Sequence, residues 1–264
     1  MTFDSQFFWN SLFHPSSAFL GGLGLTIFIS IAAMFFALVV GLLIALMRLS
    51  RFAPLRVLAA LYVWVLRGTP LLVVLVIIYL GLAAANIYRF TDIHLLGISL
   101  SGAVQAAIVG LTLNESANIS EIMRAAIVAV PSGQLEAAAT QGMIRRNAMR
   151  WIVIPQAIRT MIPPLGNQFN SLMKNTSLLS IIGVSEMFLI TQSISSATFR
   201  TFEIFIVTAI YYLALTTVWT VLQDELERYF NRRLGLDSPG VVERLEDGFT
   251  RLFIGNRKSE EVFS

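Results

Sequence analysis

Long runs without charge, separated by clusters of arginine, set the pattern of this chain, and five of them come near the ~20 apolar residues needed to cross ~30 Å of hydrocarbon. Residues 20–47 are the clearest. A second uncharged run lies between Arg67 and Arg89. A third covers 95–114, after which polar residues begin while the helical apolar pattern continues. The fourth, about 160–185, carries Pro163, Pro164, Gly166 and Lys174, which predicts a bent or broken helix rather than a uniform rod. The fifth, 204–223, is uninterrupted. The predicted architecture is all-α, a polytopic membrane protein of about five transmembrane helices.

Composition agrees, because 56% of the 264 residues are hydrophobic and only 13% are charged, which places the chain in a bilayer rather than in a soluble class. Orientation follows from where Lys and Arg collect, since short loops rich in them stay cytoplasmic. Arg48, Arg51, Arg56 and Arg67 lie between runs one and two, and Arg124, Arg145, Arg146, Arg150 and Arg159 lie between three and four. The segment before run one has no Lys or Arg, and the loops after runs two and four hold only Arg89 and Arg200. The N-terminus is therefore expected outside and the C-terminus inside.

The first 19 residues lack the positive region and cleavage site of a signal peptide, and the 28-residue run that follows is too long for a signal core, so it is expected to be a retained span. Absence of cysteine excludes disulfides, cysteine-ligated zinc and thiol chemistry. A pI near 9.5 would suggest nucleic acid in a soluble protein; here cytoplasmic loops account for the positive excess, and no nucleic-acid partner is expected.

No internal repeat is evident, which disfavours an inverted-repeat carrier. The cytoplasmic connection 125–159 is too polar to span and full of helix formers broken by Pro131, Gly133, Gly142 and Pro155. It predicts two short helices with a turn at Gly142, lying under the membrane. In the polar tail, Val241, Val242, Leu245, Phe249, Leu252 and Phe253 recur at helical spacing. That suits a helix on the inner membrane surface or on a partner, and equally a loosely ordered tail.

Within that connection the chain reads Gly133-Gln134-Leu135-Glu136-Ala137-Ala138-Ala139-Thr140-Gln141-Gly142, then Ile152-Val153-Ile154-Pro155. This resembles the E-A-A-x3-G-x9-I-x-L-P signature of ABC importer permeases, with Ile154 at the usual Leu position. A short helix that docks into a groove on another protein needs small side chains at the contact, which Ala137 and Ala138 supply; Gly142 permits a tight turn, and Pro155 suits a helix start. An ordinary amphipathic surface loop is the bland alternative. Arg67-Gly68-Thr69-Pro70-Leu71-Leu72, Pro163-Pro164-Leu165-Gly166-Asn167-Gln168, Lys174-Asn175-Thr176-Ser177-Leu178 and Ile182-Gly183-Val184 look like the polar amino-acid uptake subfamily, over about 22–233.

The resemblance implies the type I transmembrane-domain fold of ABC importers in a bacterial inner (plasma) membrane. It divides the chain into a periplasmic segment 1–19, a permease domain 20–233 with an ATPase-docking loop 125–159, and a cytoplasmic tail 234–264. It also implies partners: a second permease subunit, identical or similar, two ATP-binding subunits, and a periplasmic or extracellular substrate-binding protein. No cofactor is expected in this chain, ATP and Mg being used by the partner ATPase. The residues support that division independently. A phosphate-binding loop needs Gly-Lys before Ser or Thr, yet the two lysines, Lys174 and Lys258, follow Met173 and Arg257.

The expected docking residues are Gly133, Gln134, Glu136, Ala137, Ala138, Gly142 and Pro155. Arg145, Arg146 and Arg150 would touch the ATPase or anionic lipid, or would simply form the positive inner surface. Charges at membrane depth are candidates for function. Asn114, Asn118 and Glu121 share a helix face beside Glu115. Glu115 and Asn118 are expected to line the substrate pathway, Glu115 meeting an ammonium group, or else to hydrogen-bond neighbouring helices. Glu121 with Arg124 reads as an ion pair. The commoner family pattern has Gly-Ala-Tyr where this chain has Ser116-Ala117-Asn118, so substrate choice is open. Lys174 with Thr176 could meet a carboxylate, or Lys174 could snorkel to an interface. Arg67 and Thr69 would shape the start of a span. His14 and His94 read as solvated loop residues, and no metal site is expected.

Two other function classes compete. A membrane enzyme would need more than Glu115 and Glu121, since the spans hold no cysteine or histidine pair. A stand-alone secondary amino-acid or compatible-solute carrier would need no docking loop.

Overall fold

Helix α1 (Ser5–Phe13) begins where the Asp4 carboxylate accepts the Phe7 N–H at 2.9 Å, and Ser16 caps α2 (Ser17–Leu49) by accepting the Phe19 N–H at 3.2 Å. The computed structural model describes residues 3–95 and 98–233. With 33 residues, α2 is ~50 Å long and contains the first uncharged run whole.

The arginine-rich stretch that follows is not a loop, as the charge pattern suggested. Pro54 opens a 16-residue helix, α3 (Ala53–Gly68), whose Val57, Leu58, Leu61 and Trp64 are exposed. Thr69 and Pro70 end it. Helix α4 (Leu71–Val76) then passes through a wider π turn, Ile77–Gly81, into α5 (Leu82–Ala84). The limbs 53–68 and 71–84 meet at 105°. Arg56 and Arg67 thus stand at opposite ends of α3, ~16 Å apart along its axis, and do not form one cluster.

Leu95 and Ile98–Leu100, inside the run expected to be the third span, are strand residues instead. Strands β1 (Ile93–Leu95) and β2 (Ile98–Leu100) pair antiparallel with His94 opposite Ser99, a small departure from an all-α fold. Helix α6 (Gly102–Val128) starts after β2, capped by Ser101 and by the Asp92 carboxylate, which accepts the Gly102 N–H at 2.8 Å. One helix carries both the apolar run and the polar residues after Asn114.

Two short helices follow, α7 (Ser132–Thr140) and α8 (Arg145–Ala148), with Gly142 between them at φ +76°, where only a residue without Cβ is unstrained. A π turn, Met149–Val153, leads into α9 (Ile154–Asn175), which stays helical through Pro163 and Pro164 before a 3-10 stretch, Thr176–Ile182. The break is not at the prolines. It falls at Gly183, φ +79°, where the path bends by 54° into α10 (Met187–Thr198). Helix α11 (Thr201–Arg233) contains the fifth run.

Among the described residues, α2 and α11 are each long and apolar enough to cross a membrane, and the two bent pairs raise that number to as many as four. At 27 residues, or ~40 Å, α6 is long enough but more polar. The described residues up to Thr216 form one compact unit and 217–233 belong to a second, in which Arg228 pairs with Asp224 at 2.7 Å. The apolar positions noted between Val241 and Phe253 lie outside the described residues.

The core of the first unit is the α2–α6 contact. In lipid there is little hydrophobic drive between helices, so close van der Waals packing of small residues has to hold them. Helix α2 buries Thr26, Ser30, Ala33, Ala37, Gly41 and Ala45, nearly all four apart. A Cβ at Gly41 would stand 2.7 Å from Ile119 Cγ2 and 3.1 Å from the Ser116 carbonyl oxygen, so the helices touch where that side chain is missing.

Candidate docking helix and buried carboxylates

Helix α7 has two faces, and the expected docking residues divide between them. Gly133, Glu136, Ala137 and Thr140, spaced i, i+3, i+4 and i+7, are all exposed. Gln134 and Leu135 are half-buried and Ala138 is buried, so this side lies against the rest of the chain. The Gln134 side-chain oxygen accepts from Gln156 Nε2 of α9 at 2.5 Å. After the Gly142 turn, Arg145, Arg146 and Arg150 are exposed, and Pro155 sits in the first turn of α9. The outward face of α7 is small apart from one carboxylate, a shape suited to insertion into a groove.

Glu115 is 1% exposed on α6. Its Oε2 accepts from Gln168 Nε2 of α9 at 2.5 Å, the Asn118 side chain lies close enough to act on the carboxylate, and Oε1 is buried without a hydrogen-bond partner. A buried carboxylate oxygen with nothing to accept from is costly and can receive an ammonium or hydroxyl donor. Asn114 turns elsewhere and donates from Nδ2 to the Leu66 carbonyl of α3 at 3.2 Å. Lys174 is exposed, whereas Thr176 is buried with its hydroxyl donating to the Met173 carbonyl at 2.7 Å. The structure thus brings Glu115 and Asn118 together, and it directs Asn114 and Thr176 into helix contacts.

Glu121 pairs with Arg124 at 3.0 Å on its own helix and with Arg48 at the end of α2, an inter-helix tie that spacing within one helix could not reveal. His14 follows α1 and His94 lies in the hairpin; no group of three or more potential metal ligands is found among the described residues.

Sequence reasoning missed Glu186. It is fully buried and caps α10, accepting the N–H groups of Phe188 and Leu189, each at 2.9 Å, together with the Tyr212 hydroxyl at 3.1 Å and the Thr26 hydroxyl at 3.4 Å. The available signal was an acidic residue directly before an apolar helical run, a helix-start mark that the charge-free segmentation passed over.

Residues 37–232 match the family of binding-protein-dependent transport system inner membrane components, and the chain belongs to that family. It is a membrane transport component, and its named relatives are permease subunits. Among its relatives, a probable amino-acid permease protein, YxeN of Bacillus subtilis, is 39% identical over 224 residues, covering 85% of this chain and 96% of that protein. The glutamine transport system permease GlnP of Escherichia coli K12 is 33% identical over 84% of this chain and 97% of its own. A crystal structure of an amino acid ABC transporter superposes with TM-score 0.74 at 36% identity, covering 87% of this chain and all of that one. The fold is that of ABC transporter transmembrane domains, shared with the methionine transporter MetNI at TM-score 0.65 and 18% identity.

Proposed function

We propose that the chain is the permease subunit of an ATP-driven importer that carries polar amino acids across a bacterial inner membrane. The observation that carries this is similarity to amino-acid permeases over 84–85% of the chain, combined with a short helix that presents Gly133, Glu136 and Ala137 outward. Substrate class follows from relatives named for glutamine and from a solved relative that is an amino acid transporter. Five spans follow if the two bent pairs each cross once and the buried helix α6 is the fifth, and the arginine clusters at 48–56 and 124–159 favour an outside N-terminus.

ATP and its Mg act in two partner ATPase subunits. A second permease chain, identical or similar, completes the translocation path, and a substrate-binding protein delivers cargo from outside. Closure of the ATPases would move the docked α7 helices, and the spans would rock between outward-open and inward-open states. Glu136 and Ala137 form the docking face with Gly133. Gln134 and Ala138 support that helix from behind, Gly142 turns it, and Pro155 starts the helix leading back into the membrane. Glu115, with its free oxygen and its neighbour Asn118, receives the ammonium group of the cargo; Asn114 holds α6 against α3 beside it, and Lys174 and Thr176 stand at the far end of α9.

Co-purification from native membranes tests this. An ATPase subunit retained in stoichiometric amount by the native chain, and lost with Glu136→Ala/Gly142→Val, supports the proposal. Transport by the purified chain with no ATPase subunit present would turn it into a stand-alone carrier.

A further inference from the structure

The docking helix is held to the membrane helices by a side-chain bond that the docking surface itself does not use. Gln134, near the start of α7, points inward, and its carbonyl oxygen accepts from Gln156 Nε2, 22 residues further along the chain, at 2.5 Å. The same amide group donates to the Ile152 carbonyl at 2.9 Å, so Gln156 is fixed to the π turn that leads into its helix while it grips α7. Gln156 belongs to the first turn of α9, and twelve residues on, ~18 Å along the axis, Gln168 of that helix holds the buried Glu115 carboxylate at 2.5 Å. A single helix therefore carries a tie to the docking helix near one end and a tie to the membrane carboxylate further in.

We propose that the Gln134–Gln156 bond is the link that passes movement of the docking helix to α9, and through Gln168 to Glu115. The proposal rests on the transporter reading above. Both glutamines are positioning residues. Neither lies on the outward face of α7, which is formed by Gly133, Glu136, Ala137 and Thr140. The link needs an acceptor on α7 and a donor on α9 whose partner is already oriented. A lone contact between two flexible side chains would slip, but the second bond from Gln156 to Ile152 removes that freedom. Loss of the link should leave docking intact and let the ATPases turn over without moving the helix that touches Glu115.

The test uses the full assembly of permease, ATPase subunits and binding protein in proteoliposomes, with three readouts: ATPase retained, basal hydrolysis, and amino acid taken up per ATP. Gln156→Leu is expected to keep the ATPase subunit and basal hydrolysis while uptake per ATP falls about tenfold, the change that 1.4 kcal/mol of coupling produces. Gln134→Leu should lower uptake per ATP similarly, and the double variant no further, because one bond is lost in all three. Gln134→Glu, which keeps the acceptor oxygen, should retain coupling.

Because the chain has no cysteine, Gln134→Cys/Gln156→Cys gives a second measurement. Uncoupled when free, the two thiols should restore uptake per ATP once a short bis-methanethiosulfonate bridges them, each thiolate forming a disulfide and releasing methanesulfinate. Native uptake per ATP in Gln156→Leu, additive losses in the double variant, or a bridged pair no better than the reduced one would each overturn the link. Failure of the native chain to retain an ATPase subunit would instead remove the transporter reading on which it rests.

Discussion

Glu186 offers the sharpest test of how this fold is held together. Replacing it by Ala removes the cap of α10, which costs about 0.5–2 kcal/mol. It also leaves the Tyr212 hydroxyl, 3.1 Å from Glu186 Oε2, to lose its acceptor in the interior, adding about 1–3 kcal/mol. The two contributions together, about 1.5–5 kcal/mol, correspond to a fall of roughly 3–20 °C in the unfolding midpoint of a chain this size. Thermal unfolding of the purified protein in lipid nanodiscs, followed by tryptophan fluorescence, reads that shift. Tyr212→Phe is the control: it deletes the hydroxyl but leaves both backbone donors on the carboxylate, so its cost should stay near 1 kcal/mol. Adding Tyr212→Phe to Glu186→Ala should recover part of the loss, since no orphaned hydroxyl remains. A midpoint for Glu186→Ala within about 2 °C of native would refute the view that this carboxylate organises the junction.

Gly41→Val should cost about 1–3 kcal/mol through overpacking against Ile119 and lower the amount of protein found in membranes, with Gly41→Ala milder, as quantitative blotting will show. Glu115→Ala should abolish most uptake while membrane abundance stays near native; normal uptake would remove Glu115 from the pathway. Arg48→Glu and Glu121→Arg should each destabilise the α2–α6 ends, whereas the double exchange should recover part of the loss in the same unfolding assay, because the pair is only partly exposed.

Charge-free runs located α2 and α11 well because these helices are apolar along most of their length. The same rule hid α3, whose arginines at both ends made it resemble a loop, although Pro54 and the Gly68-Thr69-Pro70 stop marked a helix of sixteen residues. Runs of apolar residues also extended the third span backward over the hairpin, since Leu95, Ile98 and Leu100 carry no charge and strand and helix look alike over so few positions. Prolines 163 and 164 suggested a break that Gly183 makes instead, where a positive φ rather than a missing N–H turns the chain. At the candidate site, the spaced Glu-Ala-Ala and Gly pattern located the helix α7 and the turn at Gly142. Which of its residues face outward needed the helix laid on its neighbours, and the Arg48–Glu121, Gln168–Glu115 and Glu186–Tyr212 contacts join residues too distant in sequence for local spacing to pair them.

The tight seam between α2 and α6 limits how the protein can move. Ile119 rests against Gly41, with Ala37 and Ala45 one turn away on either side. For one helix to ratchet past the other by a turn, the branched side chain would have to climb over a methyl group at a spot with no spare volume. Slippage along that seam is therefore blocked, and the two helices travel as a single strut. Shape change is left to the places where regular helix is already interrupted: the 105° elbow after α3, the wide turn at Ile77–Gly81 and the bend at Gly183.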